Sequence, residues 1–402
     1  MKMETMRILG LMTGNSCDAL DAACLEFRET PTSARASSWQ LLWTAQEAYP
    51  KSLAKRVLAA QQPSFVAASR GWLTLDRDLG VWYAKTVEKI LTRVPRKKRP
   101  HVVANHGQTL AHFPGEKGGG LSWQLGGTSW LTARTGLTSL TQFRQGDLAG
   151  GGQGAPLIPL FQEAWIKKHR VQTPVSLLNL GGVSNFTYLP RVGPLIAGDA
   201  GPCNLWIDEA VERATRGRTR IDYGGRLTAL GRSDEKAVIA VLRHPYFRLR
   251  GPRSTGRDQF PLEYLIERTR ARGADLVATA ARIAAESIAH AYERDIFVRR
   301  LPLQTIYCSG GGSHNKALCS MIEGALNQKT SQPVSVRSLS EVGEDPQTIE
   351  AQAFAYLGWR SLQGLALGGA WTGAKPESPP ALILPGRNWE TVLNLLSRTR
   401  TR

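Results

Sequence analysis

The stretch MRILGLMTGNSCDALDAACLEF, Met6–Phe27, decides how the rest of the chain is read. Met6–Met12 is a short apolar run of the kind that forms a buried strand, and Asp21–Phe27 resumes that character. Between them Thr13–Leu20 carries Gly14, Asn15, Ser16 and Asp18, so the unit reads strand, polar turn, strand. Such a turn can point backbone N–H groups and hydroxyls at a phosphate, and an adjacent aspartate can hold a hydrated magnesium ion. Taken alone, the same residues also fit an ordinary polar β-turn.

About 170 residues further on the pattern returns. Val175–Leu180 is an apolar strand, Gly181–Asn185 a glycine turn and Phe186–Leu189 the returning strand. A third glycine site, Gly310–Gly312, follows the strand Leu303–Cys308 and leads into a helix at Lys316–Asn327. Two phosphate-gripping hairpins in repeated halves, with a strand–GGG–helix to pack against a nucleoside, form the plan of actin-like ATPases and sugar kinases. The expected fold class is α/β: duplicated actin-like (ribonuclease H-like) ATPase domains flanking a central cleft. Domain I is expected over 1–140 with 345–402, and domain II over 141–344. Neither G-x-x-x-x-G-K-[ST] nor a G-x-G-x-x-G after a strand occurs, so P-loop and dinucleotide-binding sites are excluded.

The remaining elements fill in around these units. Ser38–Ala45 reads as a third strand, and Lys51–Arg93 as helix with a break at Pro63. Further strands are expected at His101–Asn105 and Thr138–Phe143. Helices are expected at Trp130–Arg134, Pro159–His169, Leu205–Thr215, Ala274–Asp295 and Pro346–Leu362, with Pro346 suited to a first turn. The proline-rich tail Pro376–Pro385 is expected to be extended.

Composition bounds the rest. The 402 residues suffice for two or three domains, and 42% hydrophobic residues suffice for real cores. The 40 glycines are concentrated in doublets and triplets, which suggests tight turns against anionic ligands. Five cysteines without a C-x-x-C indicate neither a disulfide framework nor a zinc site. No apolar run approaches a membrane span, and the first residues lack the apolar core of a signal peptide, so a cytoplasmic protein is expected.

Asp199, in Gly198–Asn204 (GDAGPCN), is the best catalytic candidate, an acid held between glycines just before a helix. The same placement also fits a helix cap. His106 ends a buried-looking strand, where a positioned core histidine is the commoner outcome than a catalytic one. Arg144 and Asp147 bracket the polar stretch before Gly151–Pro156, a spacing that more often marks a structural pair. Glu350 sits in the expected C-terminal helix among Ala and Gln.

At these residues the sequence resembles the anhydro-N-acetylmuramic acid kinases, actin-like sugar kinases of bacterial peptidoglycan recycling. Nine collinear blocks carry the resemblance between about Arg7 and Arg387. They are Gly10–Ala23, NHGQT (Asn105–Thr109), Phe143–Leu157, LNLGGVSNFT (Leu178–Thr187), Gly198–Asn204, HPYF (His244–Phe247), STGRDQF (Ser254–Phe260), CSGGGSHN (Cys308–Asn315) and Glu350–Arg360.

The resemblance implies one enzyme that hydrolyses a 1,6-anhydro bridge and phosphorylates the sugar. ATP, water and anhydro-N-acetylmuramic acid would give N-acetylmuramic acid 6-phosphate and ADP. It implies Asp199 as general base, Glu350 as a sugar ligand, and Arg144, Asp147 and His106 around the sugar. Gly14, Asn15, Ser16 and Asp18 match the first phosphate loop, with Asp18 beside Mg2+. Gly181 and Gly182 match the second phosphate loop, and Gly310, Gly311 and Gly312 the nucleoside site. The implied partners are ATP and the anhydro-muramic sugar, and a homodimer fits the family.

The family loop usually reads M-S-G-T-S-x-D-G, whereas this chain has Thr13, Asn15 and Ala19; likewise D-T-G-P-G-N has become Asp199–Asn204 with Ala200 and Cys203. These departures motivate an alternative: a weakened or silent family member that senses nucleotide or a cell-wall sugar. The net charge of +18 raises a third class, nucleic-acid binding. No aromatic interleaving, helix-turn-helix or zinc-finger signature accompanies it, which weighs against that partner. Half of the excess lies in one block, Arg213 to Arg257, with twelve basic residues against three acidic.

Overall fold

β1 (Met6–Thr13) is buried along almost its whole length, as a strand covered on both faces must be. It belongs to a computed structural model that describes residues 5–28, 38–62, 65–116, 119–256 and 259–400. The helix break expected at Pro63, and Arg257 and Asp258 of the STGRDQF block, lie outside those residues.

β1 pairs antiparallel with β2 (Ala19–Phe27), which pairs antiparallel with β3 (Trp39–Ala48). On its other side β1 pairs parallel with β4 (Val102–Asn105). A separate antiparallel hairpin follows, β5 (Gln108–Phe113) with β6 (Leu121–Leu125), before β7 (Thr138–Thr141) pairs parallel with β4. The second half repeats this plan. β8 (Val175–Leu180), β9 (Val183–Leu189) and β10 (Ile196–Pro202) form an antiparallel meander. β11 (Thr305–Ser309) then pairs parallel with β8, and β12 (Ser335–Ser338) parallel with β11. A last strand, β13 (Leu382–Leu384), joins β7 antiparallel. The orders β3-β2-β1-β4-β7 and β10-β9-β8-β11-β12 are the same topology built twice, a meander followed by two parallel strands. The chain is therefore a duplicated α/β protein of the actin-like, ribonuclease H-like class.

Two compact units result, residues 1–171 with 348–402, and residues 172–347. The segment 141–171, expected in the second domain, packs with the first unit instead. In the first unit the helix Ile349–Leu362 lies directly on β1. A Cβ on Gly10 would stand 1.9 Å from the Ala351 carbonyl oxygen, so only glycine admits this approach. The contact is locked by Phe27 stacked on Trp359, with ring centroids 5.1 Å apart. In the second unit the helix Ala274–Tyr292 is buried nearly all round and continues into a π turn at Glu293–Phe297.

Three elements gain detail. Asp199, read as an acid between glycines just before a helix, lies inside a strand, β10. The C-terminal helix starts at Ile349, so Pro346 precedes its first turn. The proline-rich tail contributes β13 to a sheet edge. All five cysteines are free, and among the described residues no helix is long and apolar enough to cross a membrane.

Candidate functional site

In the first unit the β1–β2 turn presents Gly14, Asn15 and Ser16 partly exposed and Asp18 exposed. Cys17 faces inward with φ 56°, and its amide donates to the Gly14 carbonyl at 3.2 Å. Gln108 Nε2 donates to the same carbonyl at 3.2 Å, tying the turn to β5. Thr13, the first departure from the family loop, keeps its hydroxyl paired with the Tyr83 hydroxyl at 3.0 Å.

His106 leaves the end of β4 fully buried, with its ring 4.5 Å from that of Phe354. Its Nε2 accepts from Arg144 Nε at 3.2 Å. Burial first, then the Arg144 charge, hold its pKa well below the ordinary histidine value, so the ring is neutral. An accepting Nε2 places the proton on Nδ1, which has no hydrogen-bond partner among the described residues. Arg144 also donates from Nη1 to the Gly154 carbonyl at 2.9 Å.

Asp147 is buried and uses both oxygens: Oδ2 accepts from the Gly154 amide at 2.7 Å, and Oδ1 from the Thr372 hydroxyl at 2.7 Å. It ties two loops 225 residues apart in sequence. Burial raises its pKa despite those two hydrogen bonds and Arg144. Arg144 and Asp147 thus brace the loop Gly150–Gly154 between them. Glu350 is half-buried in the first turn of the helix Ile349–Leu362, where the helix dipole favours a carboxylate.

In the second unit Asp199 sits at a bulge of β10 opposite β9, where the register shifts between Asp199 and Gly201. A bulge re-aims a side chain, and here both the side chain and the main chain of Asp199 are held. Asp199 Oδ2 accepts from the Thr255 amide at 2.9 Å. Its main-chain carbonyl accepts from Arg253 Nε at 2.8 Å and from the Tyr246 hydroxyl at 3.1 Å. Arg253 is itself buried and pairs with Asp295 at 2.8 Å. Burial pulls the Asp295 carboxyl upward, but Arg294 and Arg253 outweigh it and hold its pKa below the usual value. Asp199 is no helix cap. The helix Asn204–Ala214 is preceded by Cys203, and no side chain caps it.

The β8–β9 turn is knit to that helix start. The Gly181 carbonyl accepts from Asn204 N at 3.0 Å, and that of Gly182 from Cys203 N and Leu205 N at 2.9 and 3.0 Å. Cys203, bulkier than the family's residue, is absorbed into the core of the unit. Gly310 has φ 77°, and a Cβ there would stand 2.4 Å from Asn179 Oδ1. Gly311 opens a short 3-10 turn to His314, Gly312 is buried in it, and Asn315 caps the helix Lys316–Asn327 through Leu318 N at 2.9 Å.

The sequence reading singled out Asp199 but not its holders Tyr246, Arg253, Thr255 and Asp295. Two signals were present, since Tyr246 belongs to the HPYF block and Thr255 to STGRDQF. Asp295 carries no local signal. Among the described residues no group of three or more His, Cys, Asp or Glu is arranged to hold a metal ion.

A meander-plus-parallel-pair sheet built twice, with a glycine turn between the first two strands of each copy, defines the actin-like class of phosphoryl-transfer proteins. Within it, the profile of the family described as anhydro-N-acetylmuramic acid kinase matches residues 6–383. The chain belongs to that family. An anhydro-N-acetylmuramic acid kinase of Acidithiobacillus ferrooxidans is 36% identical over 98% of this chain and 96% of its own. One from Streptomyces avermitilis is 34% identical, covering 95% of both chains, and one from Xanthomonas oryzae 33%, covering 90% and 93%.

Proposed function

We propose that the protein uses ATP and water to convert anhydro-N-acetylmuramic acid into N-acetylmuramic acid 6-phosphate and ADP. The observation that carries this reading is the buried Asp199 at a β-bulge, its carboxylate held by the Thr255 amide and its main-chain carbonyl by Arg253 and Tyr246. Asp199 takes a proton from water as that water bonds to the anomeric carbon. The bond from that carbon to the 6-oxygen breaks, and the freed oxygen attacks the γ-phosphoryl group, releasing ADP.

Phosphoryl transfer asks the protein mainly for positioning and charge stabilisation. The turn at Gly14, Asn15 and Ser16, and that at Gly181 and Gly182, hold phosphates, while Gly310, Gly311 and Gly312 lie against the nucleoside. The positive φ of Gly310 and the approach of Asn179 and Leu180 to its Cβ position let this turn pack closely on the end of β8. Asp18, exposed at the end of its turn, is a donor of the kind magnesium takes while keeping waters and phosphate oxygens as its other ligands. When bound there, Mg2+ would neutralise charge on the phosphates.

Glu350 binds the sugar, and the neutral His106, with a free Nδ1 proton, donates to it. Arg144 fixes the tautomer of that histidine, and Asp147 holds the loop behind it. A cytoplasmic location, where ATP is available, and a homodimer are part of the same reading.

The test is direct incubation with ATP, Mg2+ and anhydro-N-acetylmuramic acid. Equimolar ADP and phosphorylated sugar are expected. Nucleotide binding without product would favour the silent sensor, which the retained Asp199 and Glu350 speak against.

A further inference from the structure

Of the basic block that supplies half of the excess charge, only Arg253 among the basic residues is used above, as a holder of Asp199. One end of the block borders a pocket of about 440 Å³ in the second unit. Phe247 lines it from the short 3-10 turn Pro245–Arg248, Arg250 from the loop after that turn, and Arg294, Val298 and Arg299 from the π turn and its exit. A π turn inside a helix frequently marks a functional site.

The charges around this pocket do not cancel. Glu293 is paired with Lys329 at 3.2 Å, and Asp295 with Arg294 and Arg253 at 3.1 and 2.8 Å. Arg250 and Arg299 are left over: among the described residues neither makes a hydrogen bond or an ion pair. Both arginines are exposed at the pocket, and their planar guanidinium forks match phosphate oxygens. Phe247 and Val298 add apolar wall, which a bare inorganic ion would not use.

We propose that this pocket is a second ligand site, taking a phosphate monoester of about sugar size through Arg250 and Arg299. Arg250 and Arg299 are not among the residues assigned to ATP or to the anhydro sugar, although the pocket's Asp295 pairs with Arg253 behind Asp199, and the proposal stands whether or not Asp199 is the base.

Isothermal titration calorimetry tests it, with glucose 6-phosphate as probe and the protein saturated with Mg2+ and a non-hydrolysable ATP analogue. Saturable binding of the ester is expected, with no binding of glucose. The double variant Arg250→Ala/Arg299→Ala should weaken the ester by at least about tenfold while the affinity for the ATP analogue is unchanged. The proposal is overturned if the ester does not bind in the presence of the analogue, or binds the double variant as tightly as the parent. Binding of glucose as strong as that of its phosphate overturns it as well.

Discussion

Arg253 donates its Nε to the main-chain carbonyl of Asp199 at 2.8 Å while its Nη2 pairs with Asp295 at the same distance. One buried guanidinium therefore joins a strand bulge to the π turn. Removing one partner strands the other charge in the core, so Asp295→Ala should cost about 3–5 kcal/mol in urea unfolding. The paired apolar replacement Arg253→Met/Asp295→Leu should recover most of that stability yet still lower kcat, because Asp199 has lost a donor that fixes it. Full turnover in that double variant would show that Arg253 serves the fold alone.

Asp199→Asn keeps an oxygen able to accept from the Thr255 amide but cannot take up a proton. Turnover should fall by about 10²–10⁴, the range for loss of a general base. Calorimetric affinities for ATP and the anhydro sugar should stay near those of the parent. A variant that turns over like the parent would sink the assignment of the base.

Gly10→Ala tests the seat of the helix that carries Glu350. The added methyl would meet the Ala351 carbonyl oxygen at 1.9 Å and the Ala355 amide nitrogen at 2.6 Å, both main-chain atoms with no rotamer to yield. Overpacking of this kind costs about 1–3 kcal/mol, and displacement of Glu350 should raise KM for the sugar more than for ATP. An unchanged unfolding midpoint would mean that the helix does not bear on β1 in solution.

Acid should weaken the first unit. Burial, then Arg7, lowers the His101 pKa to about 4; burial, then Arg144, lowers that of His112 to about 3, and His106 moves the same way. The unfolded chain takes up these protons near pH 6.5, so below that pH it binds more of them than the folded state. This contribution is complete above about pH 6.5 and is lost as the pH falls toward 4 and 3. Asp147 opposes the trend, because its raised pKa lets the folded state take up that proton at a higher pH than the unfolded chain does. Urea midpoints should therefore drop between pH 7.5 and 5.5, and less steeply in His112→Gln. A midpoint flat across that interval would refute it.

The duplicated plan was legible because short apolar runs ending in glycine turns are local features, and β8 was read with its boundaries intact. β10 was not. Gly198, Gly201 and Pro202 dilute its strand pattern, and they are tolerated because β10 is the edge of its sheet, where a missing N–H breaks no ladder. Gly201, with φ 149° and Phe247 where a Cβ would go, packs that edge. The bracing task of Asp147 was hidden for another reason. Its partner Thr372 lies 225 residues away, a tie that also draws 141–171 into the first unit.

The interrupted first unit has a consequence for synthesis. Its sheet is laid down early, yet the helix that covers β1 and the strand that closes the edge at β7 come after residue 347. The intervening 172–347 form an uninterrupted unit that can fold while still attached to the ribosome. At about 5–20 residues per second, its translation keeps the apolar face of β1, β4 and β7 waiting for roughly 9–35 s. The first part of the chain to be made is thus the last to be finished, and its exposed strands are the natural clients of a holding chaperone during that interval.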